Sequence, residues 1–205
     1  MYKALIVDDH ESLSDSLAAA LTGTGAFEVV GKVPSAAQAC AYCERLRPDL
    51  VLIDVCTGGS VSGLDAAKAV REKFPGTKVI VMSGFDEITY ASRAKEAGAH
   101  AFVLKSRSLD FFIEVTREVM AGGTYYPEAR TIPLPQGEAP LTRRELEVLR
   151  LICKNLTSEE VAKELFISVS TVKYHKANML AKMGFTKTID LAFYMISNGW
   201  INPLY

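Results

Sequence analysis

Long apolar runs are missing from this chain. No stretch approaches the ~18 consecutive apolar residues that a membrane-crossing helix needs. The N-terminus lacks the charged and apolar regions of a secretory signal. Both absences predict a cytoplasmic protein with no membrane partner. Cysteine is scarce, four in 205 residues, which argues against a disulfide scaffold in a chain of this size. Cys40 and Cys43 form a C-x-x-C, but on a helical pattern, with no second pair and no nearby histidine. That setting favours packed helix residues over a zinc or redox site. No internal repeat is visible. Acidic residues are absent from Ile167 to Ile189, although the chain as a whole carries a net charge of -1.

What is present has an order. Residues 1–125 hold 13 Lys/Arg against 16 Asp/Glu, whereas residues 140–205 hold 9 against 6. The C-terminal part is therefore mildly basic, which permits nucleic-acid binding without demanding it. Short β-branched runs at Ala4–Asp8, Phe27–Gly31, Val51–Asp54, Lys78–Met82 and Ala101–Leu104 alternate with helical patterns at Ser12–Leu21, Ala36–Leu46, Leu64–Phe74, Ile88–Ala97 and Leu109–Ala121. Five repeats of strand then helix predict a five-stranded, doubly wound parallel sheet. Four of the eight prolines lie between Tyr126 and Pro140, which marks 126–139 as a semi-rigid linker. Residues 140–205 then read as a small all-α domain with helices at Arg143–Lys154, Ser158–Leu165, Val169–Met183 and Lys187–Asn198.

The chemistry sits at the strand ends. Asp8 and Asp9 close the first run, Asp54 the third, Ser83 follows the fourth, and Lys105 follows the fifth. Ligands of open parallel sheets bind at the carboxyl ends of the strands. Carboxylates crowded there stay ionised together only beside a cation, and an oxygen-only set suits Mg²⁺. Asp54 is then a candidate nucleophile that forms an acyl phosphate. Lys105 would balance charge on the transferred group, and the Ser83 hydroxyl would donate to one of its oxygens. Surface carboxylates capping helix N-termini are the plain alternative. It accounts for one such Asp but poorly for all of them at successive strand ends.

With Asp8-Asp9-His10, Asp54 after a buried strand, Ser83-Gly84 and Phe102-x-x-Lys105, residues 1–125 resemble the receiver domain of two-component response regulators, a flavodoxin-like fold. The resemblance implies that Asp54 accepts phosphate from a sensor histidine kinase. It implies that Asp9 binds Mg²⁺ directly, Asp8 acts through water, and the Cys56 backbone carbonyl completes the protein's ligands. Phe102 would be an aromatic switch, and His10 a residue that starts the first helix rather than a ligand. Relatives usually place a proline four residues after the phosphoacceptor and a glycine eight after it. Here Gly58 stands in the proline's place, and one extra residue precedes Gly63. A loop so rich in glycine and serine is expected to be more mobile than a proline-braced one.

In the C-terminal part, Thr142 with Glu145 and Thr157 with Glu160 are two capping boxes. Leu146, Leu149 and Ile152 are expected to line one face of the first helix, and Val161, Ala162 and Leu165 the inner face of the second. The tight turn Phe166-Ile167-Ser168 then leads into a third helix, the helix-turn-helix arrangement that puts its second helix in a major groove. On that helix Lys173, Lys176 and Lys182 carry charge, while Val172, Met179, Leu180 and Met183 are expected to face the core. The pattern Leu141-Thr142-x-Arg144-Glu145, Glu160-Val161-Ala162 and Thr171-Val172-Lys173-x-His175 resembles the LuxR-type helix-turn-helix. The whole chain is thus similar to NarL/FixJ-type response regulators. By that resemblance Lys173 and Tyr174 contact bases, Ser170, Thr171 and Lys176 contact phosphates, and the active form is a homodimer on a double-stranded operator.

Two rivals remain. In one, the receiver serves dimerisation or another signal without phosphorylation. The other is a phosphatase of the haloacid-dehalogenase kind, which needs a second Asp two residues after its nucleophile. Cys56 stands there, so an enzyme is not expected.

Overall fold

In the computed structural model, the structure describes residues 1–86, 88–128, 132–134 and 139–203, in two compact units spanning 1–129 and 130–205. The first unit is a five-stranded, wholly parallel sheet of β1 (Tyr2–Val7), β2 (Phe27–Val33), β3 (Leu50–Asp54), β4 (Lys78–Ser83) and β5 (Ala101–Leu104), ordered β2-β1-β3-β4-β5. Strand residues alternate between two separate cores. Leu5, Val7, Val51, Ile53, Val79, Val81 and Phe102 pack under α2 (Ala39–Leu46), α3 (Gly63–Lys73) and α4 (Tyr90–Glu96). Ala4, Ile6, Leu50, Leu52, Ile80, Met82 and Val103 pack under α1 (Glu11–Gly23) and α5 (Leu109–Met120). Every residue of β3 is buried, as a central parallel strand covered on both faces must be.

Several boundaries differ from the sequence reading. The helix expected from Ala36 opens as a 3-10 turn, Ala36–Gln38, before α2 begins. Helix α4 starts at Tyr90 rather than Ile88, with Thr89 as its N-cap. In α2, Cys43 is buried, and that burial pushes its thiol up to about 12. Just before the expected linker, Tyr125 pairs with the free edge of β5. Its N–H donates to His100 O at 3.1 Å, and its carbonyl accepts the Phe102 N–H at 2.9 Å. The Tyr126 hydroxyl donates to Ala99 O, so the chain remains docked on the first unit past residue 125. Residues 129–131 and 135–138 of the linker lie outside the described residues.

The second unit packs α6 (Arg143–Cys153), α7 (Ser158–Glu164), α8 (Val169–Met183) and α9 (Thr188–Ser197). Both capping boxes form, and Asn155 adopts φ 63° after α6, a conformation Asn tolerates. Val161 and Ala162 of α7 are buried as expected, with Leu165 half-buried. Helix α6 is rotated from the expected face: it buries Val148, Leu149 and Cys153, with Leu146 and Ile152 half-buried. Glu145 shares the buried side at 3 % exposure, paired with Lys182 of α8 at 2.8 Å. Lys182 therefore leaves the charged outer face and serves the core. Burial pushes the Glu145 carboxyl up, but the Lys182 ammonium and the Thr142 N–H and hydroxyl pull it net below the ordinary carboxylate range.

A lowered folded value means stabilisation that is present above the usual Glu range and lost as pH falls through the folded value. Glu145→Ala removes the reciprocal half of the capping box, the acceptor of the Thr142 N–H, together with the partner of a mostly buried Lys182. A loss of about 3 kcal/mol is expected. Urea unfolding followed by the fluorescence of Trp200, the chain's single tryptophan and a buried residue, reads it directly. A change under ~1 kcal/mol would mean that Lys182 simply turns to solvent.

Candidate functional site

Strands β1, β3, β4 and β5 are consecutive in the sheet, so their C-terminal ends form one rim. The residues expected to act together meet there. Lys105 Nζ lies 2.8 Å from Asp8 Oδ2 and 2.9 Å from Asp54 Oδ2, bridging two carboxylates that are 4 % and 1 % exposed. Its backbone N–H donates to Ser83 O at 2.8 Å, which ties β5 to β4 at the rim. Asp54 Oδ1 is buried without a hydrogen-bond partner. Burial pushes the Asp54 carboxyl above the ordinary Asp range; the Lys105 charge opposes this and the Asp8 charge adds to it. For Lys105 burial disfavours the charge, but its bonds to Asp8 and Asp54 outweigh that, and the ammonium is held above the usual Lys value.

Asp9 stands at the mouth. Its Oδ2 accepts the Gly58 N–H at 3.1 Å, and its Oδ1 lies 2.9 Å from His10 Nδ1. His10 is the N-cap of α1 and so does start the helix, but its ring also lies 3.1 Å from Asp8 Oδ1. One ligand atom from each of Asp8, Asp9, His10 and Asp54 falls within 4.8 Å of the others. Three carboxylates, a buried oxygen without a donor and one bridging ammonium are an under-neutralised set. That donor set suits a small divalent cation.

The loop after Asp54 is braced at two points. Thr57 is buried and its hydroxyl accepts the Ala36 N–H at 2.9 Å, one residue before the Gly58–Asp9 bond. This half of the loop is tied across the rim in spite of the missing proline. Between these ties and α3, Gly59 has φ 129°. Ser62 then caps α3 by accepting the Leu64 N–H at 3.1 Å. Gly63 rests on the Asp54 backbone, its N–H donating to Val55 O at 2.9 Å.

Ser83 is buried, and its Oγ accepts the Phe85 N–H at 3.0 Å. Phe102 lies inward at 1 % exposure, edge-on to the buried Tyr90 with ring centroids 6.4 Å apart. The Tyr90 hydroxyl is in turn 3.9 Å from Cys56 Sγ. Tyr90 belongs to no motif in the sequence; its burial at the start of a short helix is a tertiary fact.

In the second unit, Ser170, Lys173 and Tyr174 are exposed on α8, with Tyr174 at 63 %. Thr171 and Lys176 are half-buried, and Lys176 Nζ donates to Ser158 Oγ at 3.3 Å. Ser168 caps α8 by accepting the Thr171 N–H at 3.0 Å, and its Oγ lies 2.7 Å from Ser170 Oγ. Val172, Met179 and Met183 face the core, with Leu180 half-buried. Helix α8 therefore presents a face of hydroxyls, an ammonium and a phenol.

Residues 4–117 match the family model described as response regulator receiver domain, and residues 139–195 match that of bacterial regulatory proteins, luxR family. The transcriptional regulatory protein MctR of Rhizobium johnstonii is 30 % identical over 207 residues, covering 98 % of this chain and 96 % of that protein. The response regulator protein VraR of Staphylococcus aureus is 31 % identical over 188 residues, covering 88 % and 90 %. Among solved structures, the RcsB response regulator of Salmonella typhimurium superposes with a TM-score of 0.66 at 21 % identity, covering 96 % of this chain and 100 % of that one.

Proposed function

This chain belongs to the response regulators that join a receiver domain to a luxR-family DNA-binding domain, and on that premise we propose that it is a transcription regulator switched by transfer of a phosphoryl group from a sensor histidine kinase to Asp54. The single observation that carries the reading is the Asp54 carboxylate: buried, bridged to Asp8 by Lys105, with Oδ1 free of hydrogen bonds at the rim. In the transfer an Asp54 oxygen attacks phosphorus, the N–P bond of the kinase phosphohistidine breaks, and the imidazole leaves with the bonding pair. Asp9 directly, Asp8 through water, Asp54 and the Cys56 carbonyl would hold Mg²⁺. When bound, the ion neutralises the carboxylates and the phosphoryl oxygens.

This chain's own groups do the rest. Lys105 carries its proton as a fixed positive charge beside the acceptor. Ser83 Oγ accepts the Phe85 N–H, which leaves its own proton to donate to a phosphoryl oxygen. The new charge then biases the pair Ser83 and Phe102. Because the Phe102 ring already lies inward against Tyr90, a rotamer change would start from a buried ring rather than from solvent.

The output is DNA binding by α8, with Lys173 and Tyr174 at base edges and Ser170, Thr171 and Lys176 on phosphates. A pair of chains suits two half-sites, and RcsB is described as dimers bound to DNA. Helix α9 supports pairing, since Ile189 and Phe193 are 69 % and 72 % exposed and Ile196 follows on the same face.

A phosphorylation-independent receiver is the second reading, favoured by the Gly58 N–H that already engages Asp9 Oδ2. Incubation with a small phosphodonor separates the two. One phosphoryl group per chain is expected, requiring Mg²⁺ and absent in Asp54→Asn. Labelling that survives Asp54→Asn, or none in the wild type, would sink the first reading.

A further inference from the structure

Helices α6, α7, α8 and α9 all end in the same backbone motif. Each is followed by a left-handed residue: Asn155 (φ 63°), Phe166 (φ 53°), Gly184 (φ 70°) and Gly199 (φ 68°). The residue after it then donates its N–H back into the helix. Leu156 bonds Leu151 O at 3.1 Å, Ile167 bonds Ala162 O at 3.0 Å, Phe185 bonds Leu180 O at 3.0 Å and Trp200 bonds Met195 O at 2.9 Å. The left-handed position of this motif favours glycine or asparagine, and a larger L side chain is strained there. Three of the four positions hold such a residue. The fourth holds Phe166, which is 95 % exposed, so its ring adds no packing that would offset the strain. Backbone atoms alone close the motif, and Arg144 Nη2 of α6 fixes the turn by donating to Leu165 O at 2.8 Å. Strain at a rigid turn, carried by an aromatic ring that serves no core, points to a contact outside the chain.

That turn runs directly into the face of α8 that reads DNA. Ser168 lies two residues on, and its Oγ is 2.7 Å from Ser170 Oγ and 2.8 Å from Thr171 Oγ1. Hydroxyls gathered at the first turn of a long helix suit phosphate oxygens, and no acidic residue occurs from Ile167 to Ile189 to repel them. A nucleic-acid backbone alternates charged phosphates with apolar sugar faces. An apolar ring that borders phosphate contacts therefore has a deoxyribose as its natural neighbour. We propose that Phe166 is a further DNA contact, its ring packed on a deoxyribose beside the phosphates held by Ser170 and Thr171. The inference rests on the reading of α8 as the DNA-binding helix and extends that interface to the turn before it. A sugar contact carries no sequence information, so Phe166 contributes affinity and orientation on the duplex rather than base readout.

Because the contact is independent of sequence, a mixed-sequence duplex of about 30 base pairs is a sufficient probe. Its affinity for the full chain, with Mg²⁺ and beryllofluoride present, is measured by fluorescence anisotropy over a range of salt concentrations. Phe166→Gly and Phe166→Asn place favoured residues at the left-handed position, so both should unfold, by Trp200 fluorescence, no earlier than wild type. Both should nevertheless bind the duplex about fivefold or more weakly, as expected for losing the burial of about half a phenyl ring. The dependence of affinity on salt should keep its wild-type slope, since an apolar contact displaces no counterion. Lys176→Ala, which removes a phosphate contact, should instead lower that slope by about one. Wild-type affinity in the Phe166 variants would overturn the assignment of Phe166 and leave α8 as the DNA-binding helix. An earlier unfolding midpoint in both variants would overturn it too, by giving the ring a role in the fold, and so would a lowered salt slope, by tracing the loss to phosphate contacts. No effect of Lys176→Ala, or no binding by the wild type, would overturn both readings.

Discussion

Gly63→Ala should cost the first unit ~3 kcal/mol or more, the upper range for overpacking a well-packed interior. A methyl group at this position would fall 1.9 Å from the Asp54 carbonyl oxygen and 2.6 Å from its carbonyl carbon. Both are backbone atoms of a fully buried central strand, so no flexible side chain can give way. The backbone of Gly63 is also held, by its N–H on Val55 O. Relief therefore requires α3 to lift off the sheet and carry the loop of residues 55–62 with it. Urea unfolding followed by far-ultraviolet circular dichroism should show a lowered midpoint, with Trp200 fluorescence as a control for the second unit. A shift equivalent to less than ~1 kcal/mol would mean that α3 slides without penalty, and that the close contact is not what sets the loop's path.

Lys105→Met should produce a comparable loss of about 3 kcal/mol, but one that depends on cation and pH. Removing one partner of a buried pair leaves the other charge uncompensated. Here two carboxylates, Asp8 and Asp54, are left facing each other with no ammonium between them. Burial and the Asp8 charge already raise the Asp54 carboxyl, with Lys105 opposing them. A raised folded value means stability that is full below the unfolded value and lost as pH rises through the folded one. Without Lys105 the folded value rises further and the decline runs on to higher pH, so the variant should be closest to wild type in acid and furthest from it at neutral pH. Mg²⁺ should return most of the loss, because a divalent ion replaces the missing positive charge. A variant indifferent to Mg²⁺ would show that the three carboxylates do not form one cation site.

The parts legible in the sequence are those where a local pattern and the fold coincide. Each of Asp8, Asp54, Ser83 and Lys105 ends or follows a short β-branched run, and parallel strands bring such positions to one rim whatever the side chains do. The capping boxes at Thr142 and Thr157 are equally local. What stayed hidden depends on rotamers and on partners distant in the chain. Lys182 read as part of a charged outer face because no acid occurs nearby in sequence, yet its partner Glu145 arrives from α6, 37 residues away. A hydrophobic pattern cannot nominate Glu145 for a buried face, which is why α6 turned out rotated toward Val148 and Cys153. The loop after Asp54 read as mobile from its glycines. Its bonds to Asp9 and Ala36 exist only once three separate segments meet. His10 read as a helix start, and its second position, between two carboxylates, follows from a side-chain direction that spacing does not encode.

Sedimentation velocity of the full chain, with and without Mg²⁺ and beryllofluoride and beside an Asp54→Ala control, is the most direct test of a phosphorylation switch at Asp54. The account predicts a monomer-to-dimer shift in the wild type when both additives are present, and none in the control. The same shift in Asp54→Ala, or no shift in a wild-type protein that still binds DNA, would contradict it and leave a DNA-binding regulator governed by something other than Asp54.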